Sequence, residues 1–117
     1  MNSVSFSVII PAYRAANTIV ETLESVCAQT HLPLEILIFE DGQLDDIATR
    51  VAKFSEDAPC LVRLISRPVN AGVSRARNTL MREARGNIIA FMDADDIWRP
   101  DHLALAAEAF NSGADVV

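Results

Sequence analysis

Ile88-Ile89-Ala90-Phe91-Met92-Asp93-Ala94-Asp95-Asp96 carries five apolar residues straight into three acids. The apolar half reads as a buried strand, and buried strands seldom end in carboxylates. A fourth acid, Asp101, follows just beyond Trp98-Arg99-Pro100. In extended backbone Asp93 and Asp95 project to the same side, because side chains alternate faces. Two carboxylates so placed at a strand's carboxyl end suit a hard divalent cation, which takes oxygen ligands.

Working outward from that stretch, apolar runs alternate with helical periodicities along the whole chain, the pattern of a parallel sheet with crossover helices. Phe6-Ser7-Val8-Ile9-Ile10 is a first strand, stopped by Pro11. Thr18 and Glu21 form a capping-box pattern before Ile19, Leu23 and Val26 recur at helical spacing. Glu35-Ile36-Leu37-Ile38-Phe39 is a second strand, and Asp45 and Asp46 cap the helix of Ile47, Val51 and Phe54. Leu61 to Ile65 is a third strand. A third helix runs through Ala76, Leu80 and Ala84 and stops near Gly86. Pro100 opens a fourth helix carrying Leu103, Ala107 and Phe110, and Gly113 ends it. The expected fold is α/β: a Rossmann-like parallel sheet in the order 3-2-1-4 with helices on both faces. Ala114-Asp115-Val116-Val117 looks like the start of a fifth strand, so residues 1–117 are read as one domain portion cut inside its sheet.

The totals agree with one globular unit. Half of the 117 residues are hydrophobic and 22% are charged, far from a disordered composition. A net charge of -6 argues against nucleic acid, whose phosphates need a basic face. Lys53 is the one lysine. Cys27 and Cys60 lie far apart in sequence without metal-ligand spacing, and read as small buried hydrophobes in a reduced compartment. No basic segment leads into an apolar core at the start, and no apolar run approaches the roughly 20 residues that span a bilayer. The expected address is the cytoplasm.

In such a sheet the carboxyl ends of all strands share one rim, where ligands of open α/β sheets bind. The unusual residues fall there: Pro11-Ala12-Tyr13-Arg14, Glu40-Asp41-Gly42, Arg67-Pro68-Val69-Asn70-Ala71-Gly72 and the acidic cluster. A dinucleotide-binding glycine pattern after the first strand is missing, as is any Walker lysine loop. Phosphatases and receiver domains that need acids after the first strand are excluded, since here that strand meets proline.

Taken together, Val8-Ile9-Ile10-Pro11-Ala12-Tyr13, Glu40-Asp41-Gly42, Asn70-Ala71-Gly72-Val73-Ser74-Arg75-Ala76-Arg77-Asn78 and Met92-Asp93-Ala94-Asp95-Asp96 resemble the successive motifs of family 2 glycosyltransferases, inverting enzymes of GT-A fold. The resemblance implies the nucleotide-sugar-binding part of such an enzyme. Pro11, Ala12 and Tyr13 would line the base pocket, and Glu40 and Asp41 would accept hydrogen bonds from base and ribose. Asn70, Gly72 and Arg77 would form the floor under the diphosphate. Asp93 and Ala94 would face the ribose, Asp93 also reaching the metal shell, and Asp95 of this Asp-x-Asp motif would bind Mg²⁺ or Mn²⁺ directly. The implied partners are a nucleoside diphosphate sugar, a UDP-sugar first, and a sugar, lipid or polysaccharide acceptor of the cell envelope. The full protein would then work in the cytoplasm or at the inner membrane face.

The same resemblance places the general base beyond residue 117, so no catalytic residue is assigned and the chain alone is expected to transfer no sugar. The family usually reads Asp-Asp-Gly-Ser-x-Asp after the second strand, where this chain has Glu40-Asp41-Gly42-Gln43-Leu44-Asp45. That departure keeps open an alternative, a degenerate GT-A-like binding module. An unfinished sheet edge could also drive self-association. Asp96 is expected to cap a turn, Gly42 and Gly72 to sit in turns, and Trp98 to pack. Arg75 and Arg77, near a helix N-terminus, suit a bound anion. His31 and His102 have no visible partner.

Overall fold

The strand Phe6–Ala12, β1, is the spine of the computed structural model, which describes residues 4–42, 45–67 and 73–113. It pairs in parallel with β2 (Glu35–Asp41) on one side and with β4 (Ile88–Phe91) on the other, and β3 (Leu61–Arg67) extends the sheet beyond β2. The order β3-β2-β1-β4 is the expected one. Between them run α1 (Ile19–Cys27), α2 (Ile47–Ser55) and α3 (Val73–Glu83), and α4 (His102–Asn111) follows β4. The anticipated fifth strand at residues 114–117 lies outside the described residues.

Period-two alternation divides the core in two. Phe6, Val8, Ile10, Ile36 and Ile38 pack against Ile19, Leu23 and Val26 of α1, Ile47 and Val51 of α2, and Leu103 and Ala107 of α4. Ile9, Leu37 and Phe39 face the other way, toward Leu80 of α3. Helices therefore cover both faces, three on one and α3 on the other. Full burial of side chains such as Leu23 contributes about 2 kcal/mol each, and Leu23→Ala would cost about 3 kcal/mol once its cavity is counted.

At the strands' amino ends a polar knot fixes the sheet. Ser7 and Glu35 are register partners, and Ser7 Oγ donates to Glu35 Oε2 at 2.6 Å. The same oxygen accepts from Arg85 N at 2.6 Å, while Gly86 N donates to Ser7 Oγ at 2.7 Å. Glu35 Oε1 is buried without a partner among the described residues. Gly86 does more than follow a helix: a Cβ on it would stand 2.7 Å from Ser7 N.

Several local expectations are corrected. Pro11 does not stop β1, which runs through it in register with Phe39. Met92 N donates to Ile9 O at 3.0 Å, so Ile9, and by the two-residue period Pro11, turn their backbone polar groups toward β4. β4 has ended by then, and the N–H that proline lacks has no strand to meet. The β4 run is not a fully buried strand: Ile88, Ile89 and Ala90 are half-buried and Phe91 is 46% exposed. Among the described residues β4 pairs with β1 alone, and hydrophobicity does not report how many neighbours a strand has. A cavity of about 840 Å³ lies along it, walled by Phe6, Ala90, Trp98, Leu103 and Phe110.

Pro100 sits one residue before the N-cap Asp101, outside α4 rather than in its first turn. Gly113 does follow α4, at φ 98°, its N–H donating to Phe110 O. Cys27 and Cys60, far apart in sequence, meet at half-buried positions, the Cys27 thiol hydrogen-bonded to Cys60. That bond pushes the Cys27 thiol far up and holds Cys60 below the ordinary thiol range. His31 also has partners: its Nε2 lies 3.1 Å from Val4 O, and its ring meets Phe6 edge-on.

Candidate functional site

Because β2 and β4 lie on opposite sides of β1, the strand order reverses there, the place at which open α/β sheets bind ligands beyond their strands' carboxyl ends. Tyr13 and Arg14 follow β1. Tyr13 is 51% exposed, and Arg14 holds φ 50° with its guanidinium 5.5 Å from the Tyr13 ring centroid. A non-glycine residue in the left-handed region costs about 1 kcal/mol, which the cation–π contact partly offsets. Pro11 is half-buried below, and Ala12 is buried.

The acids follow β4. β4 ends at Phe91, and residues 93–96 form a turn closed by Asp96 N donating to Asp93 O at 3.1 Å. The extended-backbone reason for pairing Asp93 with Asp95 therefore does not apply; both are exposed on a turn instead. Asp96 closes that turn through its backbone rather than capping with its carboxylate.

What the sequence reading missed is how this turn is held. Thr18 Oγ1 donates to Ala94 O at 2.9 Å. Thr22 Oγ1 lies 3.0 Å from Ala94 O and 2.8 Å from Asp96 O, its one proton shared between them. Ser25 Oγ accepts from Trp98 N at 3.1 Å and donates back to Thr22 O at 2.7 Å. Gln29 Nε2 donates to Arg99 O at 2.6 Å, and its Oε1 accepts from Leu103 N at 2.9 Å. Thr30 N adds a bond to Pro100 O at 2.9 Å. Residues 18, 22, 25 and 29 repeat at helical spacing, forming a polar stripe beside the apolar stripe of α1. That periodicity was visible in the sequence, but its target lies some 70 residues away.

Thr18 thus occupies the N-cap of α1 without a side-chain cap bond, so the expected capping box is not formed. Its hydroxyl points to the acidic turn instead. Asp46 likewise stands at the N-cap of α2 with no side-chain cap, and pairs with Arg50 at 3.1 Å. Asp45 is the working acceptor, taking Ile47 N at 3.2 Å and Ala16 N at 3.0 Å. One carboxylate so ties the loop after β1 to the start of α2.

Glu40 is 5% exposed at the end of β2, and Ser66 Oγ, on the neighbouring strand in register, donates to its Oε1. Gly42 takes φ 102°, as a turn glycine should. Asp41 ends β2 and Arg77 lies in α3, but their side chains are outside the described set, as are Asn70 and Gly72 altogether. Trp98 packs, as expected; its partner is His102, stacked with centroids 4.4 Å apart.

Among the described residues no three His, Cys, Asp or Glu side chains gather into a complete metal shell. Asp93 and Asp95 supply exposed hard-oxygen donors, which fits an ion of the Mg²⁺ or Mn²⁺ kind. Such ions take one or two carboxylates and complete their shell with phosphate oxygens and water.

A parallel sheet with reversed strand order and an acidic turn at its carboxyl rim is the frame of a GT-A domain, and comparison with known proteins gives the family. Residues 7–117 match the family described as Glycosyl transferase family 2, and the chain belongs to it. It is 34% identical over 105 residues to the Escherichia coli UDP-Glc:alpha-D-GlcNAc-diphosphoundecaprenol beta-1,3-glucosyltransferase WfgD, covering 90% of this chain and 40% of that enzyme. Staphylococcus aureus TarS 1-349 in complex with UDP-GlcNAc superposes with a TM-score of 0.83 at 27% identity, over 92% of this chain and 31% of that one. The Pyrobaculum calidifontis mannosyltransferase PcManGT, in complex with GDP-Man and Mn²⁺, gives 0.82 at 26% identity, over 97% and 34%. The chain thus spans well under half the length of these relatives.

Proposed function

We propose that this chain is the donor-binding portion of a metal-dependent, inverting glycosyltransferase that moves a sugar from a nucleoside diphosphate sugar to an acceptor hydroxyl. The observation that carries the proposal is the Asp93-Ala94-Asp95 turn with both carboxylates exposed, moored to α1 just beyond the carboxyl end of β4. Similarity to proteins solved with UDP-GlcNAc and with GDP-Man and Mn²⁺ supports it.

In this reading Pro11, Ala12 and Tyr13 hold the base, with Glu40 and Asp41 beneath it accepting from base and ribose. Asn70, Gly72 and Arg77 receive the diphosphate, Arg77 by charge. Asp93 and Ala94 contact the ribose, and Asp95, with Asp93 in support, holds Mg²⁺ or Mn²⁺. When bound, the ion stabilises negative charge on the departing nucleoside diphosphate. Inversion also needs a general base at the acceptor hydroxyl, and none of these residues is assigned that task. The 117-residue chain by itself is therefore expected to bind donor and transfer nothing. A sugar, lipid or polysaccharide acceptor, a cytoplasmic or inner-membrane-face setting and self-association through the β4 edge complete the proposal.

Calorimetry tests it. UDP and GDP are titrated into the folded chain with and without Mn²⁺; tighter binding of one of them with the metal, lost in Asp95→Ala, is expected. A second reading, a non-catalytic GT-A-like module, draws on Glu40, whose buried carboxylate accepts from Ser66 Oγ through one of its oxygens. A folded chain that binds neither nucleotide under either condition would favour it.

A further inference from the structure

We propose that Thr22 and Gln29 are positioning residues for the cation, setting the height and orientation of the 93–96 turn from beneath. The inference rests on the donor-site reading above and extends it to side chains that touch neither nucleotide nor metal.

For folding alone, α1 needs only its apolar stripe. Ile19, Leu23 and Val26 already seat the helix on the sheet, each fully buried. Thr22 is 1% exposed and Gln29 4%, so both carry polar groups into the interior, where desolvation must be offset by bonds. A helix required only to pack would be served as well by valine and leucine at these positions. The hydroxyl and the amide spend their bonding capacity on one target, the backbone between Ala94 and Leu103. Thr22 takes the two carbonyls that flank Asp95, at 3.0 and 2.8 Å. Gln29 takes Arg99 O and Leu103 N, joining the far end of the loop to the first turn of α4, and steadies its own amide on Ser25 O at 3.1 Å.

Asp95 therefore sits on a short arch whose two feet are bolted to a single helix face. Among the described contacts Thr18 shares the task, donating to Ala94 O at 2.9 Å, and the nearest ladder bond is Met92 N to Ile9 O. Removing the Thr22 hydroxyl leaves Asp96 O without its partner and Ala94 O held by Thr18 alone, and lets the arch take several positions. The apparent metal affinity falls by the fraction that remains competent, roughly tenfold for one lost anchor.

Two measurements on the folded 117-residue chain decide the matter. In amide hydrogen exchange without metal, Thr22→Val and Gln29→Leu should speed exchange at Asp96, Trp98 and Leu103 while leaving β1 and β2 amides as in the wild type. In calorimetry with UDP and MnCl₂, Thr22→Val should weaken metal-dependent binding about tenfold, and Thr22→Ser should restore it. Exchange that rises equally across the sheet, or a Thr22→Val chain with wild-type metal dependence, overturns the positioning role. A wild-type chain that binds UDP and GDP no better with Mn²⁺ overturns the donor-site reading itself, while the exchange pattern still decides whether α1 holds the arch.

Discussion

Gly86→Ala is the sharpest test of how this sheet is assembled. A Cβ at residue 86 would lie 2.7 Å from Ser7 N, 2.8 Å from Phe6 C and 2.8 Å from Ser5 O, where ordinary contact begins near 3.4 Å. The shortfall is about 0.6 to 0.7 Å against three backbone atoms. Those atoms belong to β1 or lead into it, and β1 is held in register on both sides, so they have no room to retreat. The loop must swing out instead, giving up Gly86 N to Ser7 Oγ and straining Arg85 N to Glu35 Oε2, which leaves buried polar groups short of partners. Overpacking and lost bonds together come to about 3 kcal/mol, and at about 4 °C per kcal/mol the midpoint should fall by about 12 °C. Thermal and urea denaturation followed by circular dichroism read this directly. Gly113→Ala serves as the contrast: it has open space around it but φ 98°, so it should cost about 1 kcal/mol from backbone strain alone. A Gly86→Ala chain destabilised by less than about 1 kcal/mol would refute the close-approach reasoning.

Other outcomes follow from contacts elsewhere. Asp45→Ala should cost about 1 to 2 kcal/mol by freeing Ala16 N and Ile47 N, and should raise proteolytic cutting near Tyr13; unchanged urea midpoints would count against it. Iodoacetamide at neutral pH should label Cys60 well before Cys27, since the donated thiol hydrogen favours thiolate at Cys60 and disfavours it at Cys27. Peptide mass mapping reads the order, and Cys27→Ala should return Cys60 toward ordinary reactivity. Trp98 is the sole tryptophan and its amide is bound to Ser25, so its emission should change when UDP and Mn²⁺ bind; a superimposable spectrum would contradict a donor site at this loop.

Element types and strand order were open to reading because they depend on local periodicity and on the handedness of crossovers. Ile36 to Phe39 could hardly be anything but a strand, and Leu23 and Val26 could hardly face water. The failures share a cause: a side chain whose local option loses to a distant one. Thr18 has a capping pattern within reach, yet its hydroxyl bonds Ala94, 76 residues on. Cys27 and Cys60 meet because α1 ends beside the start of β3, a fact of packing rather than spacing. Phe91 is hydrophobic but stands on an outer strand, where composition misleads. At the site, Asp93 and Asp95 were recognisable as acids after a strand, while the polar stripe that holds their loop was visible only as a periodicity without a target.

The mooring of that loop has a consequence for how it can change. Thr18, Thr22, Gln29 and Thr30 all grip it by main-chain carbonyls, those of Ala94, Asp96, Arg99 and Pro100. A fastening of this kind is blind to the identity of the residues it fastens. Ile97 and Arg99, exposed on the loop and given no ligand, are thus free to be exchanged without dislodging the backbone that presents them. The helix behaves as a socket and the loop as a bit, which makes positions 97 and 99 the place to vary residues when altered specificity is sought.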